Sequence, residues 1–231
     1  ITGLEALLRW RTEDGELIPP GKFIPIAEQS GDIITLGAWA LEAACRQAVA
    51  WKSLGVQSVP MTVNMSARQF LQDDLVRTVR DVLERTGFDP HQLCLELTET
   101  ALMTDNPSVL RHMQALTAMG IRFSLDDFGT GYSSLSYLSR FPISALKIDR
   151  SFVVGMSLDS KHVAIVSAVV AMSRVLGLEV VAEGVEELYQ VENLRSTGCN
   201  VAQGFYYSRP VSADSCTELL RAGTVRPKRP I

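Results

Sequence analysis

Histidine is scarce in this chain, and its cysteines form no metal-binding pattern. The three histidines, His91, His112 and His162, lie away from the predicted strand ends, so we interpret them as solvated or structural. The four cysteines are scattered, with neither a CxxC pair nor zinc spacing. We therefore expect reduced thiols in a reducing cytoplasm and no zinc centre. No Ser-His-Asp triad can be assembled either.

An excess of basic charge and long apolar runs are also missing. The 231 residues carry a formal charge of −4, from 26 acidic and 22 basic side chains. A protein that binds long nucleic acid without sequence preference needs a basic face, so we exclude that class, whereas a small anion held through metals fits. No apolar run reaches the ~20 residues that span a bilayer, and no signal peptide opens the chain. We expect a cytoplasmic domain, whose only membrane tether would come from an upstream region.

Apolar residues make up 46% of the chain, enough for a sizeable core, and strand and helix periods alternate along it. The strands are predicted at residues 4–10, 61–65, 91–97, 122–126, 145–148, 179–182 and 200–203. Helices are predicted at residues 33–54, 75–86, 106–120, 135–139, 161–176, 187–196 and 213–221, with turns at 14–15 and 19–21. This alternation is typical of parallel βα units.

The predicted strand count is one short of a (β/α)8 barrel. We expect an α/β fold of the modified TIM-barrel type, with the first strand upstream and missing from this chain. An open doubly wound sheet is the alternative, but it would place a site at one or two strand ends. We expect residues 1–223 to form this domain and the basic residues 224–231 to form a flexible tail.

The stretch RFSLDDFGTGYSSL, residues 122–135, carries the strongest local signal. An apolar strand ends there in Asp126 and Asp127, followed by a glycine-rich loop. Adjacent carboxylates repel each other unless cations neutralise them, and divalent metals with oxygen ligands commonly do so. Alternatively, the aspartates only cap the next helix and the glycines only turn the chain.

Polar residues lie in or at the outgoing end of all seven predicted strands. They are Glu5, Asn64, Glu96, Asp126 with Asp127, Lys147, Glu183 and Gln203. In a barrel these ends converge on one face, and so many carboxylates in a partly buried pocket require metal ions. An all-oxygen ligand set selects Mg²⁺, Mn²⁺ or Ca²⁺ over zinc, and two cations bridged by Asp126 could hold a phosphate and activate a water. Arg9 is a candidate for contacting the phosphate.

Two other barrel enzymes would also use such carboxylates. A glycosidase usually needs aromatic platforms for its sugar, but only 7% of this chain is aromatic. An enolase-type site needs a single metal and no bridge of adjacent aspartates. The number of bound metals therefore separates the enolase-type interpretation from a two-metal site.

These motifs together resemble the EAL-domain cyclic di-GMP phosphodiesterases. The matching segments are EALLRW at Glu5, TVNMSARQF around Asn64, LELTET with Glu96 and Glu99, DDFGTGYSSL, LKIDRSFV around Lys147, VAEGVE with Glu183 and Glu186, and AQGFYYSRP around Gln203. The resemblance covers essentially the whole domain except its first strand. It implies a modified TIM barrel that hydrolyses cyclic di-GMP to linear pGpG with two Mg²⁺ or Mn²⁺ ions, with Ca²⁺ expected to inhibit.

The resemblance also implies a role for each matching residue. Glu5, Asn64, Glu96 and Asp126 would hold one metal, and Asp126, Asp127 and Glu183 the second. Lys147 would orient the attacking water, Gln203 would join the water, metal and substrate contacts, and Glu186 would support the site. Arg9 and Leu7 would contact the substrate, while Glu99 would anchor the loop that follows Asp127. Either Glu183 or a metal-held hydroxide would accept the water's proton.

The resemblance further implies a homodimer, formed around the DDFGTGYSSL loop, and an upstream sensory or GGDEF-type domain. No position of the family's ligand set is substituted in this chain. The competing interpretation is a cyclic di-GMP receptor or regulatory domain that does not turn the nucleotide over. A pure receptor does not need a complete two-metal ligand set, so the intact set favours an enzyme.

Overall fold

The structure is a computed structural model that describes residues 1–102, 106–129, 138, 140–156 and 160–225. Its residues cluster into two compact units. The first unit is Gly3–Arg122, and the second consists of Ile1–Thr2 and the chain from Phe123 onward. The predicted helix at residues 135–139, apart from Leu138, lies outside the described residues, as do most of the glycine-rich loop and most of the predicted tail.

The first unit places three parallel strands in the order β1, β4, β5. Its elements are β1 (Leu4–Ala6), β2 (Trp10–Arg11), β3 (Leu17–Ile18), α1 (Pro20–Ser30), α2 (Ile33–Ser53), β4 (Met61–Asn64), α3 (Ala67–Phe70), α4 (Leu75–Thr86), a 3-10 turn (Pro90–Gln92), β5 (Leu93–Thr98), α5 (Glu99–Leu102) and α6 (Pro107–Ala118). Leu93, Leu95 and Leu97 of β5 are almost completely buried. The amphipathic α4 turns Val79 and Val82 toward this core.

Two sequence predictions in this unit are wrong. Residues 4–10 do not form one strand, because β1 ends at Ala6 and Trp10 belongs to an antiparallel hairpin of β2 and β3. The turn predicted at Asp14 and Gly15 closes that hairpin, where the Gly15 N–H donates to the Thr12 carbonyl. Residues 19–21 do not form only a turn either, because Pro20 is the first residue of α1. Proline is favoured at this position, since the backbone N–H that it lacks would have no hydrogen-bond partner within the helix.

A buried glutamine connects α2 to the segment after β4. The side chain of Gln69 accepts hydrogen bonds from the backbone and hydroxyl of Ser66, while the Ser66 hydroxyl accepts from the Gln69 backbone. This capping box starts α3 shortly after Asn64. An ideal Cβ on Gly37 of α2 would lie 1.7 Å from Gln69 Nε2, so only glycine leaves room for the amide.

Gly37→Ala is therefore expected to destabilise the domain by about 1–3 kcal/mol, because the new methyl group overpacks against Gln69. Urea unfolding followed by circular dichroism measures the change. Gly21→Ala is the matched control, since an ideal Cβ on Gly21 in α1 meets nothing within 4 Å. Equal stabilities for the two variants would show that the contact between Gly37 and Gln69 does not constrain the fold.

The second unit places four parallel strands in the order β6, β7, β8, β9. Its elements are β6 (Arg122–Phe128), β7 (Ala145–Ile148), α7 (Arg150–Gly155), α8 (Ser160–Leu176), β8 (Glu179–Ala182), α9 (Leu188–Thr197), β9 (Val201–Ala202) and α10 (Ala213–Ala222). The strands β7 and β8 have the predicted bounds. The core packs Ile148 and Ala182 against Val153, Val166 and Leu194 from the helices.

All four cysteines are buried thiols. Burial raises the pKa of the Cys45 thiol to about 12, so this side chain stays protonated at neutral pH. Across the described ranges, no helix combines the length and the apolar character needed to cross a membrane.

Candidate active site and metal ligands

In the first unit, three predicted metal ligands lie on one face of the parallel strands. Asn64 is in register with Glu96, and Glu5 is in register with Thr62, two residues before Asn64. Because residues two apart share a strand face, Glu5, Asn64 and Glu96 project to the same side. Asn64 Nδ2 donates a hydrogen bond to Glu5 Oε1 at 2.7 Å. Glu96 is only 2% exposed, so its carboxylate is withdrawn from bulk solvent.

In the second unit, the paired aspartates lie on a β-bulge. The register between β6 and β7 shifts between Leu125 and Phe128, so Asp126 and Asp127 stand opposite the single residue Lys147. Asp127 has a left-handed backbone with φ of 54°, and its N–H donates to Asp126 Oδ1 at 2.9 Å. Neighbours in a regular strand point to opposite faces, and the bulge re-aims one of these two carboxylates. The sequence analysis did not predict this bulge. Its one sign in the sequence is the pair of aspartates just before the glycine-rich loop, and that pair alone does not indicate a bulge.

The Asp127 carboxyl is in an environment that disfavours its negative charge. Partial burial raises the pKa of Asp127 above its ordinary value, and the negative charges of Asp126 and Asp149 raise it further. Lys147 acts in the opposite direction. A cation placed here would relieve both the desolvation and the repulsion, which is the electrostatic character of a metal ligand.

Asp127→Asn is expected to raise the melting temperature of the metal-free domain at neutral pH, by no more than about 4 °C. The raised pKa means that ionised Asp127 costs stability in the folded state, and this cost appears as pH rises through the folded-state pKa. The gain should shrink as pH falls toward the ordinary aspartate value of about 3.9. Asparagine tolerates the left-handed backbone, so the substitution adds little strain. Thermal melts in EDTA across this pH range measure the difference.

The control substitution, Asp89→Asn, is expected to change the melting temperature in the opposite direction. The His91 backbone N–H donates to Asp89 Oδ1 and lowers the pKa of this exposed carboxyl. The charge on Asp89 therefore stabilises the fold above the ordinary pKa, and this contribution is lost in acid. Asp89→Asn should melt slightly lower at neutral pH, whereas a lower melting temperature for Asp127→Asn would contradict the assignment of repulsion to Asp127.

Lys147 is a buried cation held between carboxylates. It lies between Leu146 and Ile148 in the apolar β7 and is only 5% exposed. Its Nζ is 2.5 Å from Glu183 Oε1 and 3.9 Å from Asp126 Oδ1. A buried ammonium group needs such partners, because an isolated charge in this surrounding would be strongly destabilised. Lys147 therefore has a fixed position beside Asp126 and Glu183.

Glu183 follows β8 in a tightly bonded turn. The Glu183 N–H donates to the Ile148 carbonyl at 3.0 Å, and the Val185 N–H donates to the Gln203 carbonyl at 3.0 Å. Gln203 itself follows β9, is exposed, and donates its N–H to the Ala182 carbonyl at 2.8 Å. Glu186 lies at the far end of the turn, where its carboxylate accepts from Arg150 Nη2 at 2.8 Å.

The remaining predicted site residues lie just outside these groups. Arg9 is exposed beyond the end of β1 and donates to the Leu8 carbonyl at 2.8 Å, so its guanidinium remains accessible to a ligand. Leu7 is 40% exposed. Glu99 begins α5 and is 6% exposed. The loop it is predicted to anchor lies mainly outside the described residues.

Each unit thus carries a set of oxygen donors suited to a hard divalent cation. The first set is Glu5, Asn64 and Glu96, and the second is Asp126, Asp127 and Glu183. Carboxylate and amide oxygens are the donors that Mg²⁺ and Mn²⁺ prefer. The second set also has a buried ammonium group within hydrogen-bonding distance of Glu183.

Comparisons with known proteins identify relatives across almost the whole chain. The EAL domain family model matches residues 1–210. MucR of Pseudomonas aeruginosa, named a bifunctional diguanylate cyclase/cyclic di-GMP phosphodiesterase, is 49% identical over 212 residues, 92% of this chain and 31% of MucR. NbdA of the same species, named a cyclic di-GMP phosphodiesterase, is 41% identical, covering 95% of this chain and 28% of NbdA. DosP of Escherichia coli, named an oxygen sensor protein, is 40% identical, covering 92% of this chain and 26% of DosP. The chain therefore spans less than a third of these relatives' lengths.

Solved structures confirm the predicted fold class. The phosphodiesterase of PaMucR, in a complex with c-di-GMP, has a TM-score of 0.89 and 48% identity, covering 94% of this chain and 87% of that one. The EAL enzyme Bd1971, in a form bound to cAMP and cyclic-di-GMP, has a TM-score of 0.90 and 35% identity, covering 95% of this chain and 60% of that one. The alternating strands and helices accordingly form the modified TIM-barrel type of fold, and the open doubly wound alternative is excluded.

Proposed function

The chain belongs to the EAL domain family, and we propose that it is a metal-dependent phosphodiesterase that hydrolyses cyclic di-GMP to linear pGpG. The observation that carries the proposal is the ion pair between the buried Lys147 and Glu183, 2.5 Å apart, with Asp126 beside it. A binding module has no need to bury a lysine among carboxylates, since burying ions is costly. The 49% identity to MucR and the c-di-GMP complex of PaMucR support the substrate.

The donor chemistry fits two divalent cations. We propose that Glu5, Asn64, Glu96 and Asp126 hold one and that Asp126, Asp127 and Glu183 hold the other. The raised pKa of Asp127 and the deep burial of Glu96 are both features that a nearby cation would stabilise. When bound, Mg²⁺ or Mn²⁺ would supply Lewis acidity and charge neutralisation for attack of water on phosphorus.

The chain's own residues would position the reactants. The Lys147 ammonium group, held by Glu183, would donate a hydrogen bond to the attacking water and fix its lone pair toward phosphorus. Glu183 would accept the water's proton, and the P–O3′ bond would break as the new bond to phosphorus forms, so that the released ribose oxygen takes up a proton to give pGpG. Gln203 would contact the water and the substrate, while the exposed Arg9 guanidinium would bind a phosphate oxygen and Leu7 would contact the nucleotide. Glu99 would anchor the loop after Asp127, and Glu186 would support Glu183 through the turn they share.

The test is incubation of the purified domain with cyclic di-GMP in Mg²⁺, Mn²⁺, Ca²⁺ or EDTA, with chromatographic separation of the products. We expect linear pGpG in Mg²⁺ and in Mn²⁺, and none in EDTA or Ca²⁺. A Ca²⁺ binding titration should still show bound nucleotide, because Ca²⁺ fills an oxygen site but tolerates looser geometry. Nucleotide binding without product in every metal would identify the domain as a receptor instead.

The full-length protein is expected to contain further domains. We propose an upstream sensory or GGDEF-type domain, because the relatives matched over less than a third of their length include a bifunctional cyclase and an oxygen sensor. We also propose a cytoplasmic homodimer in which the upstream domain tunes the metal site. Light scattering on the isolated domain and on the full-length protein tests the homodimer.

A further inference from the structure

We propose that Arg150 is a positioning residue, which holds the turn at residues 183–186 so that Glu183 meets Lys147. This inference rests on the proposed phosphodiesterase function and adds a residue to its machinery. Arg150 opens α7, three residues after Lys147, and its side chain reaches across to the turn after β8. Its Nη2 is 2.8 Å from Glu186 Oε1.

The contact also involves the aliphatic part of the arginine. Gly184 has a left-handed backbone with φ of 66°, and an ideal Cβ there would lie 2.2 Å from Arg150 Cγ and 2.6 Å from its Cβ. The arginine stem therefore occupies the space that any other residue's side chain would need. Gly184 is required at this position both for its backbone and for this close packing.

The spacing of charges makes this a two-point contact. Lys147 and Arg150 are three residues apart on one segment, and Glu183 and Glu186 are three residues apart on the other. Between these two segments, Lys147 pairs with Glu183 and Arg150 pairs with Glu186. Fixing Glu186 and Gly184 against Arg150 thereby limits how far Glu183 can move from Lys147.

Other residues also hold the turn at residues 183–186 in place. The backbone N–H groups of Glu186 and Glu187 both donate to Gln190 Oε1, at 2.7 and 2.9 Å, and Gln190 is only 2% exposed. An ideal Cβ on Gly204 would lie 2.1 Å from the Val185 carbonyl oxygen, so the chain after β9 also packs directly on the turn. The Arg150 stem adds a contact at Gly184, the residue just before these in the turn.

A positioning role can be separated from a purely structural one by energetics. The Arg150 and Glu186 side chains are 60% and 37% exposed, and exposed ion pairs contribute only about 0–1 kcal/mol to stability. Loss of the ion pair alone, as in Arg150→Met, should therefore hardly change folding. In contrast, residues that orient groups bound to metal typically change metal affinity or activity by about 10- to 100-fold.

The experiment compares Arg150→Ala, Arg150→Met and Arg150→Lys with the wild-type domain. We expect Arg150→Ala to lower kcat by about 10- to 100-fold, with KM within about twofold of the wild type and an Mn²⁺ affinity reduced by about 10-fold. Arg150→Met keeps the stem over Gly184 and Arg150→Lys also keeps the charge, so activity should recover in the order Ala, Met, Lys. Kinetics in Mg²⁺, Mn²⁺ titration calorimetry and thermal melts provide the readouts.

Arg46→Ala is the matched control. Arg46 is 60% exposed, like Arg150, and its Nη2 pairs with Glu42 Oε1 at 2.6 Å on α2. Its loss should leave kcat and Mn²⁺ affinity unchanged. The proposal is overturned if Arg150→Ala leaves both quantities at the wild-type value, or if it raises KM alone, which would make Arg150 a substrate contact. If the wild-type domain forms no pGpG, the proposed function fails, and the Mn²⁺ affinities of Arg150→Ala and wild type still decide the positioning role.

Discussion

Replacing Lys147 with methionine is expected to lower kcat for cyclic di-GMP hydrolysis by about 100- to 10,000-fold, the range of a positioned proton-transfer or water-orienting group. The ammonium group is buried and lies 2.5 Å from Glu183. Methionine keeps the apolar stem inside β7 but removes the charge that fixes Glu183 and the water. Substrate binding in Ca²⁺ should stay within a few fold, because the substitution removes no metal ligand or substrate contact.

For Lys147→Met, fixed-time activity assays in Mg²⁺ measure kcat, and nucleotide titrations in Ca²⁺ measure substrate affinity. The control is Lys52→Met, which removes an exposed charge from the last turn of α2 and should change neither quantity. Because Asp126 and Glu183 would lose their buried counter-charge, metal-free Lys147→Met should also melt below the wild type, and added Mg²⁺ should recover part of that loss. Near-normal turnover would exclude Lys147 from the reaction.

Asp126→Asn is expected to reduce turnover by about 100- to 1,000-fold, the size of effect caused by loss of one preorganised electrostatic contact. Asp126 is the one carboxylate that the proposal assigns to both cations, and it lies beside Lys147 on the bulge of β6. Asparagine keeps the shape and an amide oxygen but removes the negative charge that neutralises the cations. Mn²⁺ titration should show weaker binding and fewer occupied sites than in the wild type.

The comparison for Asp126→Asn is Asp81→Asn on the exposed side of α4, which should behave like the wild type in both assays. The outcome also separates the remaining alternatives. Full activity with one bound cation in Asp126→Asn would rule out a bridging role and favour a phosphodiesterase that uses a single metal. A reduction in metal sites without loss of turnover would contradict the assignment of chemistry to both cations.

Most of the fold could be predicted because apolar periodicity and local turn chemistry agree along this chain. Leu75–Thr86 and Ala145–Ile148 have the predicted bounds, since an amphipathic period or an apolar strand ends there at a glycine or a polar residue. The break between Leu4 and Trp10 could not be predicted, because residues 7–10, LLRW, continue the apolar pattern past the end of β1. Helix α1 could not be predicted either, because the pair Pro19-Pro20 is equally typical of a turn and of a helix N-terminus.

Only part of the candidate site could be predicted from the sequence. Strand-end polarity predicted Glu5, Asn64, Glu96, Lys147 and Glu183 as site residues, because each stands where an apolar strand stops or is interrupted. The bulge at Asp126 could not be predicted, since it depends on the register between β6 and β7. The packing of Arg150 on Gly184 was equally hidden, because the two residues meet only after both strands and their connecting helices have folded.

The decisive experiment for the proposed hydrolysis is product analysis of cyclic di-GMP incubated with the purified wild-type domain and with Asp126→Asn, each in Mg²⁺. We expect the wild type to convert many equivalents of cyclic di-GMP to linear pGpG and Asp126→Asn to form little product. Intact cyclic di-GMP after incubation with a wild-type domain that demonstrably binds it would refute the phosphodiesterase proposal, and would assign this chain to nucleotide recognition without hydrolysis.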